Sequence, residues 1–199
     1  MAVYPPPVAL DHLAGAVGGL RLGAAVAAGQ NPRLVARPLW HVTLAFLGEV
    51  AEHRVPRVVP ALVAGIEGWR DRGGQPPLRL RLAGGGRFGR RRFTVLWVGL
   101  AGDLDGLAGM GRAVRRGLRR GRLPHDRKPL HPHLTLARPG DRLSAEEVTA
   151  DLSTLSSYQG PEWELTELHL VRSSQGPQPA HESLARLPLA AGPDPVCPA

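Results

Sequence analysis

The sequence predicts an α+β protein with two similar halves. One observation behind this is the order of periodicities: apolar residues recur at helical spacing in some stretches and alternate in others, giving helix, motif strand, helix, strands, helix, motif strand, helix, strands. The other is a repeated pattern, His-x-Thr-Leu, which runs once from His41 to Leu44 and again from His133 to Leu136. With eight His in the chain, two copies arise by chance roughly once in a thousand such chains.

Taken in order, residues 1–4 are too short for much of a strand, and Pro5, Pro6 and Pro7 suit a helix start. Leu10, Leu13, Val17 and Leu20 follow at helical spacing. Pro38 leads into the first motif strand, which begins at Trp40 and ends at Gly48. Val55, Val59, Leu62, Ile66 and Trp69 mark a second amphipathic helix, whose start Pro60 delays or kinks. Residues 78–82 alternate apolar with Arg as a half-exposed strand, Gly84, Gly85 and Gly86 read as a turn, and 93–100 reads as a buried strand. No Gly-Lys-Ser/Thr follows the glycines, so they are not read as a phosphate-cradling loop.

A helix over 103–120 carries Leu104, Leu107, Val114 and Leu118 on one side. Arg112, Arg115, Arg116, Arg119 and Arg120 form the other, which is read as a solvated face. The second motif strand covers 130–138, and Pro139-Gly140 ends it. Ser144 and Glu147 form a capping box for a helix reaching about Ser157. Residues 163–171 and 183–189 alternate as two more strands, with the polar stretch from Arg172 to Gly176 between them. Residues 1–189 are expected to form one bilobal domain, and 190–199 a disordered tail.

Composition bounds the function. The chain has 199 residues, of which 43% are hydrophobic, enough for an ordinary core. No apolar run reaches membrane-spanning length and no signal-peptide pattern is present, so a cytoplasmic location without membrane association is expected. The single Cys, Cys197, sits in the Pro-rich tail and has no partner for an internal disulfide. A formal charge of +8 favours polyanions such as RNA, although abundant Arg, Ala, Gly and Pro also reflect GC-rich coding.

In a strand, alternate side chains leave the same face. His41 and Thr43 therefore point one way, as do His133 and Thr135, while Val42, Leu44, Leu134 and Leu136 point into a core. With Phe-Leu-Gly after the first copy, and a Pro-His start and Ala-Arg end on the second, this doublet resembles the 2H phosphoesterase superfamily. Within it, the chain is most similar to the RNA 2',3'-cyclic phosphodiesterases, long called 2'-5' RNA ligases or LigT-like proteins. The likeness runs from the Pro-rich start to about Pro188. It implies two lobes related by a pseudo-two-fold axis, each an antiparallel sheet with helices on its outer face, with one His-x-Thr from each lobe in the cleft between them. It also implies a full strand before the first helix, most of which is missing here.

Opening a 2',3'-cyclic phosphate by water needs a base on one side of phosphorus and an acid on the other. Imidazole titrates near neutrality and serves either role. By sequence the two motifs are nearly equivalent; the resemblance alone names His41 as proton donor and His133 as proton acceptor. Thr43 and Thr135 offer neutral donors to the non-bridging oxygens. Arg138 adds positive charge near the strand end. Phe46 is a candidate platform for a base, as the resemblance suggests, or equally a core residue.

The scheme uses no metal and no cofactor. His125, His131 and His133 invite a metal reading, but no carboxylate or Cys near either motif completes a ligand set. The expected activity is hydrolysis of RNA 2',3'-cyclic ends to 2'-phosphates, with reverse 2'-5' ligation, in a monomer. Alternatives are a 2H phosphodiesterase acting on small cyclic nucleotides or 2'-5' linkages, and an RNA-end-binding module without turnover.

Overall fold

The computed structural model describes residues 1–174, 176 and 179–191. Among the described residues, eight strands form one antiparallel sheet: β1 (Ala2–Val3), β2 (Val42–Thr43), β3 (Leu78–Phe88), β4 (Val95–Gly102), β5 (Leu134–Ala137), β6 (Gln159–Leu165), β7 (Glu167–Ser174) and β8 (Ala180–Pro188). Their order is β6-β3-β4-β5-β2-β1-β7-β8. The helices are α1 (Pro7–Gly18), α2 (Arg21–Ala27), α3 (Val58–Arg70), α4 (Leu104–Arg120) and α5 (Ala145–Ser156).

The strand order reads symmetrically about its centre. Each half places its motif strand innermost, and the halves meet where β2 pairs with β5, with Val42 opposite Leu134. The two sheets expected from the sequence are thus joined edge to edge at the motifs. Val42, Leu44, Leu134 and Leu136 are fully buried beneath this join, each contributing roughly 1.5–3 kcal/mol of hydrophobic stabilisation. Of the helices, α3 and α4 pack on each other, α5 lies on β3, α1 on β6, and α2 on α5. Among the described residues, no helix is long and apolar enough to cross a membrane.

Several local expectations hold. Pro7 opens α1, the Ser144–Glu147 capping box closes at α5 with both hydrogen bonds formed, and α3 begins at Val58 with Pro60 in its first turn, where a proline costs no helical hydrogen bond. Others are corrected. Gly84, Gly85 and Gly86 are not a turn: they lie inside β3, with a bulge between Ala83 and Gly85, and the chain reverses later, at Gly89 and the single turn Arg91–Phe93. A Cβ on Gly85 would overlap the side chain of Leu155, and one on Gly86 would overlap the Trp97 ring. These glycines serve the close approach of neighbours to a strand.

The fourth strand consequently starts at Val95, two residues past Phe93. The stretch 163–171 is two strands meeting at Thr166, β6 on one outer edge and β7 on the other side of the sheet. The motif strands are shorter than expected, because only Val42–Thr43 and Leu134–Ala137 keep ladder geometry. The short β1 occupies the interior of the sheet between β2 and β7, not an edge.

Helix α2 has no counterpart among the elements expected from the sequence. Its first two N–H groups donate to the carboxylate of Asp151 on α5, Arg21 N to Oδ1 at 2.7 Å and Leu22 N to Oδ2 at 3.0 Å. Asp151 is 1% exposed and acts as a helix cap supplied from a distant element. Cys197 and most of the expected tail lie outside the described residues.

Candidate active site

At the join between the halves, strand alternation sends Val42 and Leu134 into the core and leaves His41, Thr43, His133 and Thr135 half-buried on the opposite face. The four residues chosen from sequence are therefore brought together. Each histidine is held by the same local device. His41 Nδ1 lies 2.7 Å from the carbonyl of Leu39, and His133 Nδ1 lies 2.7 Å from the carbonyl of His131.

A carbonyl oxygen only accepts, so Nδ1 of each ring carries the hydrogen and donates it. That fixes the tautomer and leaves Nε2 to accept or release a proton. The two-fold relation of the motifs thus extends to their hydrogen bonding. Among the described residues, neither threonine hydroxyl has a side-chain hydrogen bond within the protein.

Both histidines have their pKa lowered. For His41 the main cause is burial, opposed by the Leu39 carbonyl, with His181, the Met1 ammonium and His133 each disfavouring its charge further. For His133 burial again dominates, opposed by the His131 carbonyl and reinforced by the His131 ring and Arg138. Arg138 is exposed just past the end of β5, and its backbone N–H donates to Arg33 O at 3.1 Å.

Aromatic side chains stand around each histidine. Beside His41, the His181 ring meets it edge-on with centroids 4.7 Å apart, and Tyr4 lies at 5.9 Å. The Tyr4 hydroxyl is 2.9 Å from His181 Nδ1, and His169, paired with Glu167 at 3.2 Å, packs edge-on to Tyr4 at 5.0 Å. Beside His133, Phe88 stands edge-on at 4.8 Å, backed by Trp97 at 5.3 Å from Phe88, while His131 packs on Trp97 at 4.9 Å. Trp97 reaches this position because Gly86, its partner across the ladder, has no side chain beneath the indole.

Phe46 is 62% exposed, so its ring is not a core residue. Its backbone is tied to Asp126: the Phe46 N–H donates to Oδ1 at 3.3 Å, and the Phe46 carbonyl accepts from the Asp126 N–H at 2.8 Å. His131 contributes through its carbonyl and ring, whereas His125 turns to the Leu123 carbonyl at 3.1 Å. Among the described residues, no three His, Cys, Asp or Glu side chains gather as a metal ligand set.

Sequence reasoning missed Tyr4, His181, Phe88 and Trp97. Tyr4 and His181 come together because β1, β7 and β8 are neighbours, with Ala2 opposite His169 and Ser173 opposite His181. No spacing signal marks them. Trp97 lies in the stretch read as a buried strand, but its pairing with Gly86, which the sequence reads as a turn, emerges only from the sheet register.

Residues 9–177 match the model of the 2'-5' RNA ligase superfamily. The chain belongs to this superfamily. It is 29% identical over 158 residues to an RNA 2',3'-cyclic phosphodiesterase of Geobacillus stearothermophilus, covering 78% of this chain and 47% of that protein. It is 36% identical over 106 residues to one of Escherichia coli, covering 53% and 54% respectively. A third, from Thermus thermophilus, is 30% identical over 156 residues, covering 75% and 71%. The matched stretch thus spans about half the length of the first two relatives.

The fold is similar to that of apo E. coli LigT, with a TM-score of 0.68 at 24% identity over 94% of both chains. A Thermus thermophilus structure matches with a TM-score of 0.65 at 24% identity, covering 94% of this chain and 95% of the other.

Proposed function

We propose that this protein hydrolyses 2',3'-cyclic phosphate ends of RNA to 2'-phosphomonoesters. The observation that carries the reading is the pair of imidazoles with both Nδ1 atoms donating to backbone carbonyls and both Nε2 atoms left for proton transfer. The relatives bearing the name RNA 2',3'-cyclic phosphodiesterase support it.

In the proposed reaction, His133 Nε2 takes a proton from water as the water oxygen bonds to phosphorus. The P–O3' bond breaks on the opposite side, and O3' takes the proton from His41 Nε2. The products are a free 3'-hydroxyl and a 2'-phosphate; His133 ends protonated and His41 neutral, and exchange with solvent resets them. Thr43, Thr135 and Arg138 stabilise the negative charge on the non-bridging oxygens. Exposed Phe46 and Phe88 offer faces for the terminal base. The assignment of His41 as acid follows the family resemblance. Reverse 2'-5' ligation runs through the same positions. We further take the protein to be a cytoplasmic monomer in RNA processing, with residues 1–189 as its single bilobal domain.

The test is turnover of an oligonucleotide ending in a 2',3'-cyclic phosphate, with the product read by phosphorus NMR. A 2'-phosphomonoester is expected. A 3'-phosphate would reverse the substrate between the histidines, and no turnover with retained binding would leave an RNA-end-binding module.

A further inference from the structure

Helix α4 carries arginines at 112, 115, 116 and 119, the i, i+3, i+4, i+7 pattern of one helical face. This stripe is about 10 Å long. Arg112 and Arg119 are exposed, and Arg120 extends the stripe at the helix end. Two last-turn arginines are explained by the helix dipole, which favours cations near the C-terminus. Arg112, Arg115 and Arg116 lie earlier and are not.

Most of the charge on this face lacks an ion-pair partner among the described residues, although Asp103 and Asp105 line the same pocket as Arg112 and Arg116. Among the described residues, Arg115 alone of the five has a carboxylate partner, Asp126 at 3.6 Å. Arg116 has its pKa lowered chiefly by Arg72 at the end of α3, then by burial and by Arg120, Arg119 and Arg112, as expected where like charges crowd. Holding them together costs repulsion that an anionic partner relieves.

Two arginines of the face, Arg115 and Arg119, also border the segment that follows the first motif. A cavity of about 440 Å³ is lined by Arg115, Arg119, His125, Asp126 and Arg127. Asp126 binds the backbone of Phe46, which lies three residues beyond Thr43 on the chain that carries His41. Asp126, which pairs with Arg115 at 3.6 Å, thereby ties the α4 face to the segment that follows the first motif.

Building on the proposed RNA substrate, we propose that the arginine face of α4 binds the phosphate backbone of the RNA strand 5' to the cyclic end. Arginine suits this occupant because its planar fork pairs with phosphate oxygens in two-point fashion. A cyclic mononucleotide reaches only the histidines, the threonines, Arg138 and the Phe46 and Phe88 rings, whereas an oligonucleotide also reaches α4. The enzyme thereby prefers chain ends to free cyclic nucleotides.

The experiment compares a cyclic-phosphate-ended octanucleotide with a 2',3'-cyclic mononucleotide, using the full chain and the Arg112→Gln/Arg116→Gln/Arg119→Gln variant. Arg115 is left in place because it holds Asp126. KM for the octanucleotide is expected to rise about tenfold or more and its dependence on log salt to flatten by about 2, from three lost single-strand phosphate contacts. kcat and mononucleotide turnover are expected to stay unchanged. Equal effects on both substrates, or none on the octanucleotide, would overturn the proposal, the latter pointing to an acidic protein as the partner of this face.

Arg112→Glu alone, at an exposed position, provides an independent second variant expected to act in the same direction. Fluorescence anisotropy with an octanucleotide ending in a plain 3'-hydroxyl separates the two readings. Arginine-dependent binding without any cyclic-phosphate hydrolysis would sink the proposed activity and keep the surface. Mononucleotide hydrolysis with arginine-independent binding would do the reverse.

Discussion

Replacing His41 by Ala, and separately His133 by Ala, tests the division of labour between two rings that the structure holds in nearly identical ways. Each Nδ1 donates over 2.7 Å to a carbonyl two residues earlier, so each ring presents only Nε2 to the substrate. Losing one proton transfer is worth about 10²–10⁴-fold, or about 3–5 kcal/mol of barrier. On a ribose cyclic phosphate both variants are expected to lose that much kcat/KM. The double variant should fall little below the worse single one, since the groups act as a unit.

An aryl phosphodiester changes the outcome, because its phenolate leaves without needing a proton. His41→Ala should recover most of its lost rate on that substrate, whereas His133→Ala should not, since water still has to be deprotonated. The assay is initial rates on both substrates for wild type and the three variants, with circular dichroism to show retained folding. If His133→Ala is the variant rescued, the acid and base labels are exchanged. If neither is rescued, a two-histidine proton relay is the wrong description.

The kcat/KM profile should be bell-shaped and displaced to the acid side of that for two ordinary histidines: a lowered His133 pKa extends the neutral base to lower pH, and a lowered His41 pKa withdraws the charged acid at lower pH. His181→Gln removes a neighbouring charge that opposes protonation of His41, so the alkaline limb should move up in pH; a limb that stays put or moves down would remove His181 from that role. Asp151→Ala leaves the N–H groups of Arg21 and Leu22 without their carboxylate and should cost about 2–4 kcal/mol in urea unfolding while kcat is retained; a loss below about 0.5 kcal/mol would mean water replaces the cap. Exhaustive chelation should leave turnover intact, and loss on EDTA with recovery on zinc or manganese would refute the scheme.

The alternation around His41-Val42-Thr43-Leu44 and its second copy was sufficient to predict that these side chains share a face, because a strand's period of two is a property of the backbone alone. The capping box at Ser144 and the proline start at Pro7 were legible for the same reason: their partners lie within one helical turn. Everything that depended on partners distant in sequence was decided by the tertiary structure. Gly85 and Gly86 carry the local signature of a turn, yet Leu155 and Trp97, packed against them, keep them extended within β3. Helix α2 has no capping side chain of its own and takes one from Asp151 on α5. Tyr4 and His181 approach His41 only because the sheet order sets β1 between β2 and β7 and β8 beyond it. Periodicity reports which way a side chain points; strand order and packing determine what it meets there.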